Sequence, residues 1–179
     1  MIKNLDLFPT KIYIKNLKLD NDIMIKKLYQ LKHDNNNQTP EDYNPWQSNR
    51  QINTLSEFNE MVNELKLMIN DIFNSDCKIL EMWGSIYEKG QYNNIHNHPP
   101  INASYCDNPL WVGAYYLKTS KDSGGLNIHS PVNCSIRETF FPNEGDLYIF
   151  NSTTYHSVHP NNEDSDRLSV AFNIELING

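Results

Sequence analysis

The part of the sequence after residue 76 consists of short apolar or alternating runs that are separated by turn residues. About eight such runs are present, at 78–87, 93–98, 110–118, 125–129, 135–141, 146–150, 155–159 and 167–176. Many short strands at this spacing are typical of an antiparallel sandwich or barrel of the jelly-roll type. The sequence therefore predicts a mainly β fold, a double-stranded β-helix.

The first 76 residues have a different periodicity. A helical spacing of apolar residues predicts helices at 21–31 and 54–73, and the apolar stripe of the second helix is expected to pack against a sheet. A strand is predicted at 7–14 and a polar loop at 33–43. We expect a single domain, 1–179, with 1–76 as a helical support region and 77–179 as the β-helix core.

Composition limits the classes of partner. The formal net charge of the 179-residue chain is −7, which argues against a basic nucleic-acid groove. No apolar run approaches membrane-spanning length. The three cysteines, Cys77, Cys106 and Cys134, are far apart and are interpreted as free thiols in a reducing compartment, so a cytoplasmic location is expected. Oligomeric state is not encoded in any recognisable pattern.

Histidines in two parts of the sequence are candidate metal ligands. His96 and His98 are two residues apart, so in an extended strand they share a face and can direct both imidazoles at one ion. His156 and His159 lie in a later run and point to opposite faces, so at most one of them can join the pair. A His-x-His pair does not by itself identify a metal.

Arg167 and Ser169 share a face of the run at 167–176. A guanidinium beside a hydroxyl is a good receptor for a carboxylate, because the arginine fork donates two parallel charge-assisted hydrogen bonds. The alternative is a surface ion pair of Arg167 with Asp164 or Asp166.

At this point the sequence resembles the 2-oxoglutarate- and Fe(II)-dependent oxygenases, whose pattern is His-x-Asp/Glu, a distal His and a basic residue about ten positions later. The resemblance extends to the prolyl 4-hydroxylase-like branch. That branch has a tyrosine nine residues before the first ligand, then a Gly-Gln-Tyr stretch, a strand ending in Tyr-Leu and a Gly-Gly pair. The matching residues are Tyr87, Gly90-Gln91-Tyr92, Tyr116-Leu117 and Gly124-Gly125.

Nearly the whole chain is similar to a narrower, largely uncharacterised group of such oxygenases from phages and marine bacteria. In that group Phe-Pro opens the chain, Trp-Gln-Ser precedes the long helix, and His-x-His-Pro replaces His-x-Asp. The matching segments are Leu7-Phe8-Pro9-Thr10, Trp46-Gln47-Ser48, residues 92–99 and residues 167–173.

The resemblance implies that His96, His98 and His156 bind Fe(II), and that Arg167, Ser169 and Tyr87 bind 2-oxoglutarate. The family normally has a carboxylate where this sequence has His98. Two interpretations of His98 remain: a third ligand, or a group beside a two-histidine iron. Imidazole suits iron, but a neutral ligand leaves the ion one charge more positive.

The implied activity is that of a dioxygenase that uses O2 and 2-oxoglutarate, releases succinate and carbon dioxide, and hydroxylates a small-molecule or peptidyl substrate. The metal binds the keto oxygen and one carboxylate of 2-oxoglutarate, and the arginine binds the other carboxylate. If the chain is phage-encoded, its location would be the host cytoplasm. Alternatives are a cupin-type three-histidine enzyme without 2-oxoglutarate and a non-enzymatic jelly-roll protein.

Some neighbouring residues have less specific interpretations. Of Tyr115 and Tyr116, one is expected to face the pocket and the other the core. Tyr87 fits a core role as well as a ligand-binding one. We expect His129 on the surface, with the substrate mouth as the alternative. We expect Trp46-Gln47-Ser48 to pack the long helix against the barrel, with closure over the substrate as the alternative.

Overall fold

Two antiparallel sheets face each other in the computed structural model, which describes residues 9–34, 44–98 and 110–177. Within these ranges the structure has ten strands: β1 Ile12–Asn16, β2 Trp46–Gln47, β3 Asp76–Tyr87, β4 Asn93–His96, β5 Leu110–Lys118, β6 Leu126–His129, β7 Arg137–Phe140, β8 Asp146–Asn151, β9 His156–Val158 and β10 Arg167–Ile177. The larger sheet has the order β1-β8-β5-β10-β3-β2, and the smaller has the order β4-β9-β6-β7. The predicted double-stranded β-helix is confirmed.

Successive side chains of β10 point into two different environments. Leu168, Val170, Phe172 and Ile174 belong to the main hydrophobic core, whereas Arg167, Ser169 and Ala171 line a cavity between the sheets. A strand with period-two side chains can serve both faces, because successive residues point to opposite sides of the sheet. The same strand therefore stabilises the fold and supplies the cavity wall.

Two helices cover the outer face of the larger sheet: α1 Asn21–Asp34 and α2 Asn59–Phe73. The inward residues of α2, Met61, Leu65 and Ile69, are fully buried, and their spacing is that of one helical face. The predicted packing of this stripe is thereby confirmed. The α-helix begins at Asn59 rather than at residue 54, because Ile52–Thr54 and Ser56–Phe58 form two 3₁₀ turns instead.

The eight predicted runs from residue 78 onward all contain a strand. The described part of the strand predicted at 7–14 begins at Ile12, while residues 1–8 lie outside the described ranges, as does 35–43 of the predicted polar loop. Strands β1 and β2 extend the larger sheet at its two edges although both precede residue 77. The division of the chain at residue 76 stays a prediction.

Trp46 and its neighbours lie at the edge strand β2. Trp46 is buried and pairs with Ile86, and the Ser48 hydroxyl accepts a hydrogen bond from the Gly84 amide at 3.0 Å. Trp46 belongs to the same hydrophobic core as the inward residues of α2, whereas Gln47 lines the cavity. The predicted packing of Trp46-Gln47-Ser48 against the long helix stays a prediction. Among the described residues, no helix is long and apolar enough to cross a membrane.

Candidate functional site

Three histidines meet at one end of the cavity. His96 on β4 and His156 on β9 are register partners in the smaller sheet, and their ring centroids are 4.2 Å apart. His98 follows β4, and its backbone amide donates to the Ser152 carbonyl at 2.9 Å. One ligand atom from each histidine lies within 4.8 Å of the others. This arrangement can hold a metal ion with three imidazole nitrogens.

The hydrogen bonds of the three rings determine which nitrogen is free. His96 Nδ1 lies 2.8 Å from the Asn94 carbonyl oxygen, and His156 Nδ1 lies 3.0 Å from that of Thr154. His98 Nδ1 lies 2.7 Å from Asn173 Oδ1. Since each acceptor is an oxygen, each Nδ1 carries the proton and donates, which leaves the three Nε2 lone pairs for a metal.

The pKa shifts of the buried imidazoles favour the neutral form. Burial and the neighbouring His96 lower the pKa of His156 to about 3. Burial also lowers the pKa of His98, although its bond to Asn173 opposes the shift. Both rings are therefore neutral at pH 7, as a metal ligand must be.

A polar chain behind His98 ends at an acidic residue. Asn173 on β10 accepts from His98 through Oδ1 and donates through Nδ2 to Glu81 Oε2 at 2.8 Å. Asn173 and Glu81 are register partners on β10 and β3. The carboxylate fixes the orientation of the amide, and the amide fixes the orientation of the imidazole.

At the other end of the cavity Arg167 is almost fully buried, with 1% of its surface exposed. Its Nη1 donates to the carbonyl oxygens of Ser123 at 2.5 Å and His159 at 3.3 Å, and its Cζ lies 3.9 Å above the Tyr87 ring. The remaining donor nitrogens, Nε and Nη2, are buried and have no hydrogen-bond partner in the described part of the chain. Within the described ranges Arg167 has no ion pair, since Asp164 pairs with Lys89 and Asp166 accepts from Tyr29.

The predicted neighbours of Arg167 lie beside it. Ser169 is buried and lines the cavity, as does Tyr87, which is the register partner of Arg167 on β3. The Tyr87 hydroxyl accepts from Asn93 Nδ2 at 2.9 Å. Burial raises the pKa of Tyr87, although Arg167 opposes the shift, so the hydroxyl keeps its proton and can donate to an anion.

Gly124 leaves room for the guanidinium of Arg167 beside the His159 carbonyl oxygen. Its φ is +89°, and a Cβ at this position would lie 2.4 Å from the His159 carbonyl oxygen and 2.7 Å from Arg167 Nη1. Only glycine fits such a conformation and such a contact without displacement of the guanidinium. The Gly-Gly pair noted in the sequence is thus part of the arginine's surroundings.

The cavity that joins the two ends has a volume of about 170 Å³. Its apolar wall includes Val112, Ala114, Leu126, Phe150 and Val158, and Arg50 lies at its margin. Arg50 is exposed, and its Cζ lies 3.9 Å above the ring of Trp83. Trp83 in turn stacks on His98, with ring centroids 5.9 Å apart.

Tyr115, Tyr116 and His129 lie outside the three-histidine cluster. Tyr116 lines the cavity, whereas Tyr115 is in the core and its hydroxyl donates to Asn21 Oδ1 at 2.7 Å, as expected of the pair. The predicted surface role of His129 is wrong. Its ring is buried between the Cys134 carbonyl oxygen and the Ser157 hydroxyl, at 2.7 and 2.9 Å, because β6 lies inside the smaller sheet.

Several site residues were absent from the sequence-based predictions: Arg50, Glu81, Trp83 and Asn173. The last three could have been found by extending the period-two pattern. Residues 81, 83, 85 and 87 of β3 pair in register with 173, 171, 169 and 167 of β10. Arg50 gave no such signal, because it lies in an irregular segment between β2 and the 3₁₀ turns.

Comparisons with known proteins agree with this geometry. Residues 137–173 match the model of the family described as "Putative 2OG-Fe(II) oxygenase". The matched segment contains His156, Arg167, Ser169 and Asn173, whereas His96 and His98 precede it. No curated protein sequence matches the chain.

Solved structures resemble the whole fold. The viral collagen prolyl hydroxylase vCPH from Paramecium Bursaria Chlorella virus-1, in complex with 2OG, has a TM-score of 0.68 at 13% identity, over 93% of this chain and 96% of that one. The fold is that of the 2-oxoglutarate/Fe(II) oxygenases.

Two other oxygenase-fold structures extend the comparison. The carbocyclase SnoK from nogalamycin biosynthesis, described as non-heme and alpha-ketoglutarate dependent, has a TM-score of 0.74 at 9% identity, over 93% of this chain and 79% of that one. HygX from Streptomyces hygroscopicus, with nickel and 2-oxoglutarate bound, has a TM-score of 0.64 at 14% identity, over 92% and 82%. The family match indicates a 2-oxoglutarate- and Fe(II)-dependent oxygenase, and these structures agree with it in fold.

Proposed function

We propose that His96, His98 and His156 hold Fe(II), and that Arg167, Ser169 and Tyr87 bind 2-oxoglutarate. The enzyme would consume O2 and 2-oxoglutarate, release succinate and carbon dioxide, and hydroxylate a small-molecule or peptidyl substrate. This assignment uses the two ends of the cavity for two different tasks: imidazoles for the metal and a guanidinium for the cosubstrate.

One observation carries the cosubstrate assignment: Arg167 is buried, and two of its donor nitrogens, Nε and Nη2, have no hydrogen-bond partner among the described residues. A buried charge without a counter-charge costs several kcal/mol, on the order of 3 to 5. A carboxylate in the cavity would pair with the guanidinium and satisfy both donors, and the hydroxyls of Ser169 and Tyr87 would add to its binding. A three-histidine enzyme without 2-oxoglutarate has no use for such an arginine.

The metal assignment depends on the donor set. Three imidazoles with free Nε2 atoms suit Fe(II), and the partners of the three Nδ1 atoms hold the rings in place. Glu81 lies behind His98 through Asn173, so negative charge is present near the site although the ligand is neutral. Bound Fe(II) supplies the dioxygen chemistry that couples decarboxylation of 2-oxoglutarate to oxidation of the substrate.

The chain's own residues orient and protect the reactants. Arg167 fixes one carboxylate at a defined end of the cavity, which orients the rest of the cosubstrate toward the histidines. The apolar wall formed by Val112, Leu126, Phe150 and Val158 limits the access of water. The unpaired thiols of Cys77 and Cys134 fit a reducing compartment, so we propose a cytoplasmic location.

The test is anaerobic addition of Fe(II) and 2-oxoglutarate, followed by absorption spectroscopy. The expected result is the visible charge-transfer band of the iron chelate, with a 2-oxoglutarate affinity that falls at least tenfold in Arg167→Gln. Arg137→Gln is the matched control, because Arg137 is exposed on β7 and its substitution removes the same charge. Iron binding without the band would support the enzyme without 2-oxoglutarate, and absence of iron binding would refute both.

The role of His98 needs its own variants. If His98 is a ligand, His98→Ala lowers iron affinity, whereas His98→Asp retains iron because the carboxylate restores the usual ligand of the family. Iron content is measured by equilibrium dialysis, which does not depend on activity. Unchanged iron affinity in His98→Ala would remove His98 from the ligand set.

A further inference from the structure

Arg50 is a second cation in the cavity, and the proposed cosubstrate does not use it. It lies on the His98 side, where its guanidinium is above Trp83, while Arg167 lies on the Tyr87 side. Among the described residues the Arg50 side chain has no hydrogen bond and no ion pair, only the ring contact with Trp83. Its N–H donors are therefore available to a ligand.

The balance of charge in the cavity differs from that of the whole protein. The chain has a formal net charge of −7, yet the residues that line the cavity include two arginines and no aspartate or glutamate among those described. Glu81, which lies behind His98, does not line the cavity and accepts a hydrogen bond from Asn173. A cavity of this kind in an acidic protein attracts anions.

The position of Arg50 is fixed rather than loose. Its carbonyl oxygen accepts from the Met82 amide at 2.9 Å, and the next residue, Gln51, forms an isolated bridge with Met82. The aromatic ring of Trp83 holds the guanidinium from below, because a cation is attracted to the face of an indole. An arginine ordered in this way loses little freedom when it binds an anion, which favours recognition.

The two carboxylates of 2-oxoglutarate are already assigned, one to Arg167 and one to the metal. We infer that Arg50 binds an anionic group, a carboxylate or a phosphoryl group, of the substrate to be oxidised, and holds it at the His98 side of the cavity. This inference rests on the proposed function. It narrows the substrate to small organic anions whose apolar part fits against the cavity wall.

The test is calorimetric titration of the protein loaded with Fe(II) and 2-oxoglutarate under nitrogen. The probes are benzoate, phenyl phosphate and the neutral benzamide. Benzoate or phenyl phosphate is expected to bind once per chain, while the 2-oxoglutarate chelate band persists. Benzamide is expected to bind about tenfold more weakly, because it lacks the charge that pairs with the guanidinium.

Variants assign the site. Arg50→Gln should weaken binding of the anionic probe about tenfold and leave benzamide binding unchanged, Arg50→Lys should restore part of the affinity, and Arg137→Gln should leave it unchanged. The relative affinities of benzoate and phenyl phosphate distinguish a carboxylate from a phosphoryl group.

The inference would be overturned if neither anion showed saturable binding, or if benzoate and benzamide bound equally well. It would also be overturned if Arg50→Gln and the unmodified protein had the same affinity for the anionic probe. Displacement of 2-oxoglutarate by the probe would likewise place the anion at Arg167 and overturn it. A missing chelate band in the unmodified protein would instead refute the proposed function. The two failures are therefore distinguishable.

Discussion

Substitution of Gly124 by alanine tests how Arg167, the proposed 2-oxoglutarate ligand, is held in position. Gly124 has φ +89°, and a Cβ there would lie 2.4 Å from the His159 carbonyl oxygen, 2.6 Å from that of Pro160 and 2.7 Å from Arg167 Nη1. Gly90 is a matched control. Its φ is +84°, and a Cβ there would meet nothing within 4 Å.

The two substitutions share one cost and differ in another. In each, alanine must adopt a left-handed conformation, which costs about 1 to 2 kcal/mol of folding free energy. Gly124→Ala must also displace Nη1 from the Ser123 and His159 carbonyl oxygens. Loss of one such hydrogen bond to a charged group costs about 1.5 to 3 kcal/mol, so this variant should be less stable than Gly90→Ala by at least that amount, because its Cβ also overlaps the carbonyl oxygens of His159 and Pro160.

The displacement should also weaken cosubstrate binding. If Arg167 moves away from its position, the carboxylate loses a charge-assisted bond, and 2-oxoglutarate affinity falls about tenfold or more. Urea denaturation gives the free energies of unfolding, and titration of the anaerobic iron chelate band gives the affinities. Gly90→Ala should bind 2-oxoglutarate as the unmodified protein does. Equal 2-oxoglutarate affinity in the two variants would refute the role of Gly124 in positioning Arg167.

Three further predictions follow from the site. Asn173→Ala should lower iron affinity about tenfold to a hundredfold by equilibrium dialysis, because His98 loses its oriented partner. Tyr87→Phe should weaken 2-oxoglutarate binding severalfold in the chelate titration, with iron affinity unchanged. Finally, the pKa of His156 is about 3 when folded and 6.5 as a free group, so between these values only the unfolded chain takes up the proton. His156 should therefore lower the free energy of unfolding of the metal-free protein by about 2 kcal/mol between pH 7 and pH 5. Urea denaturation of the unmodified protein and of His156→Asn at both pH values measures this loss. If the difference in stability between the two proteins does not change with pH, the assignment is contradicted.

The fold was largely predictable because its local signals agree with each other. The runs from residue 78 onward have strand length and are separated by turn residues, and the stripe of α2 matches its buried face. Helix α2 was predicted to begin too early, because the apolar spacing continues through the 3₁₀ turns before Asn59. Local periodicity does not distinguish the two kinds of turn.

The site was predictable only where the spacing of residues along the chain indicates that their side chains lie close together in the fold. His96 and His98 share a strand face, and Arg167 follows His156 at an interval typical of one hairpin. The partners of these residues arise from register between distant strands, as with Asn173 and Glu81. His129 was placed on the surface because its polar neighbours in the sequence do not reveal that Ser157 lies beside it in the fold.

The position of β10 in the sheet has a consequence for biosynthesis. This strand follows every other described strand in the chain, yet it lies between β5 and β3 in the larger sheet and carries Arg167, Ser169 and Asn173. Before it leaves the ribosome, β3 and β5 each have an unpaired edge, and His98, one of the proposed iron ligands, lacks its hydrogen bond to Asn173. Folding of the sheet and maturation of the site therefore both wait for the same late segment, and slow translation of this segment should prolong a state prone to aggregation.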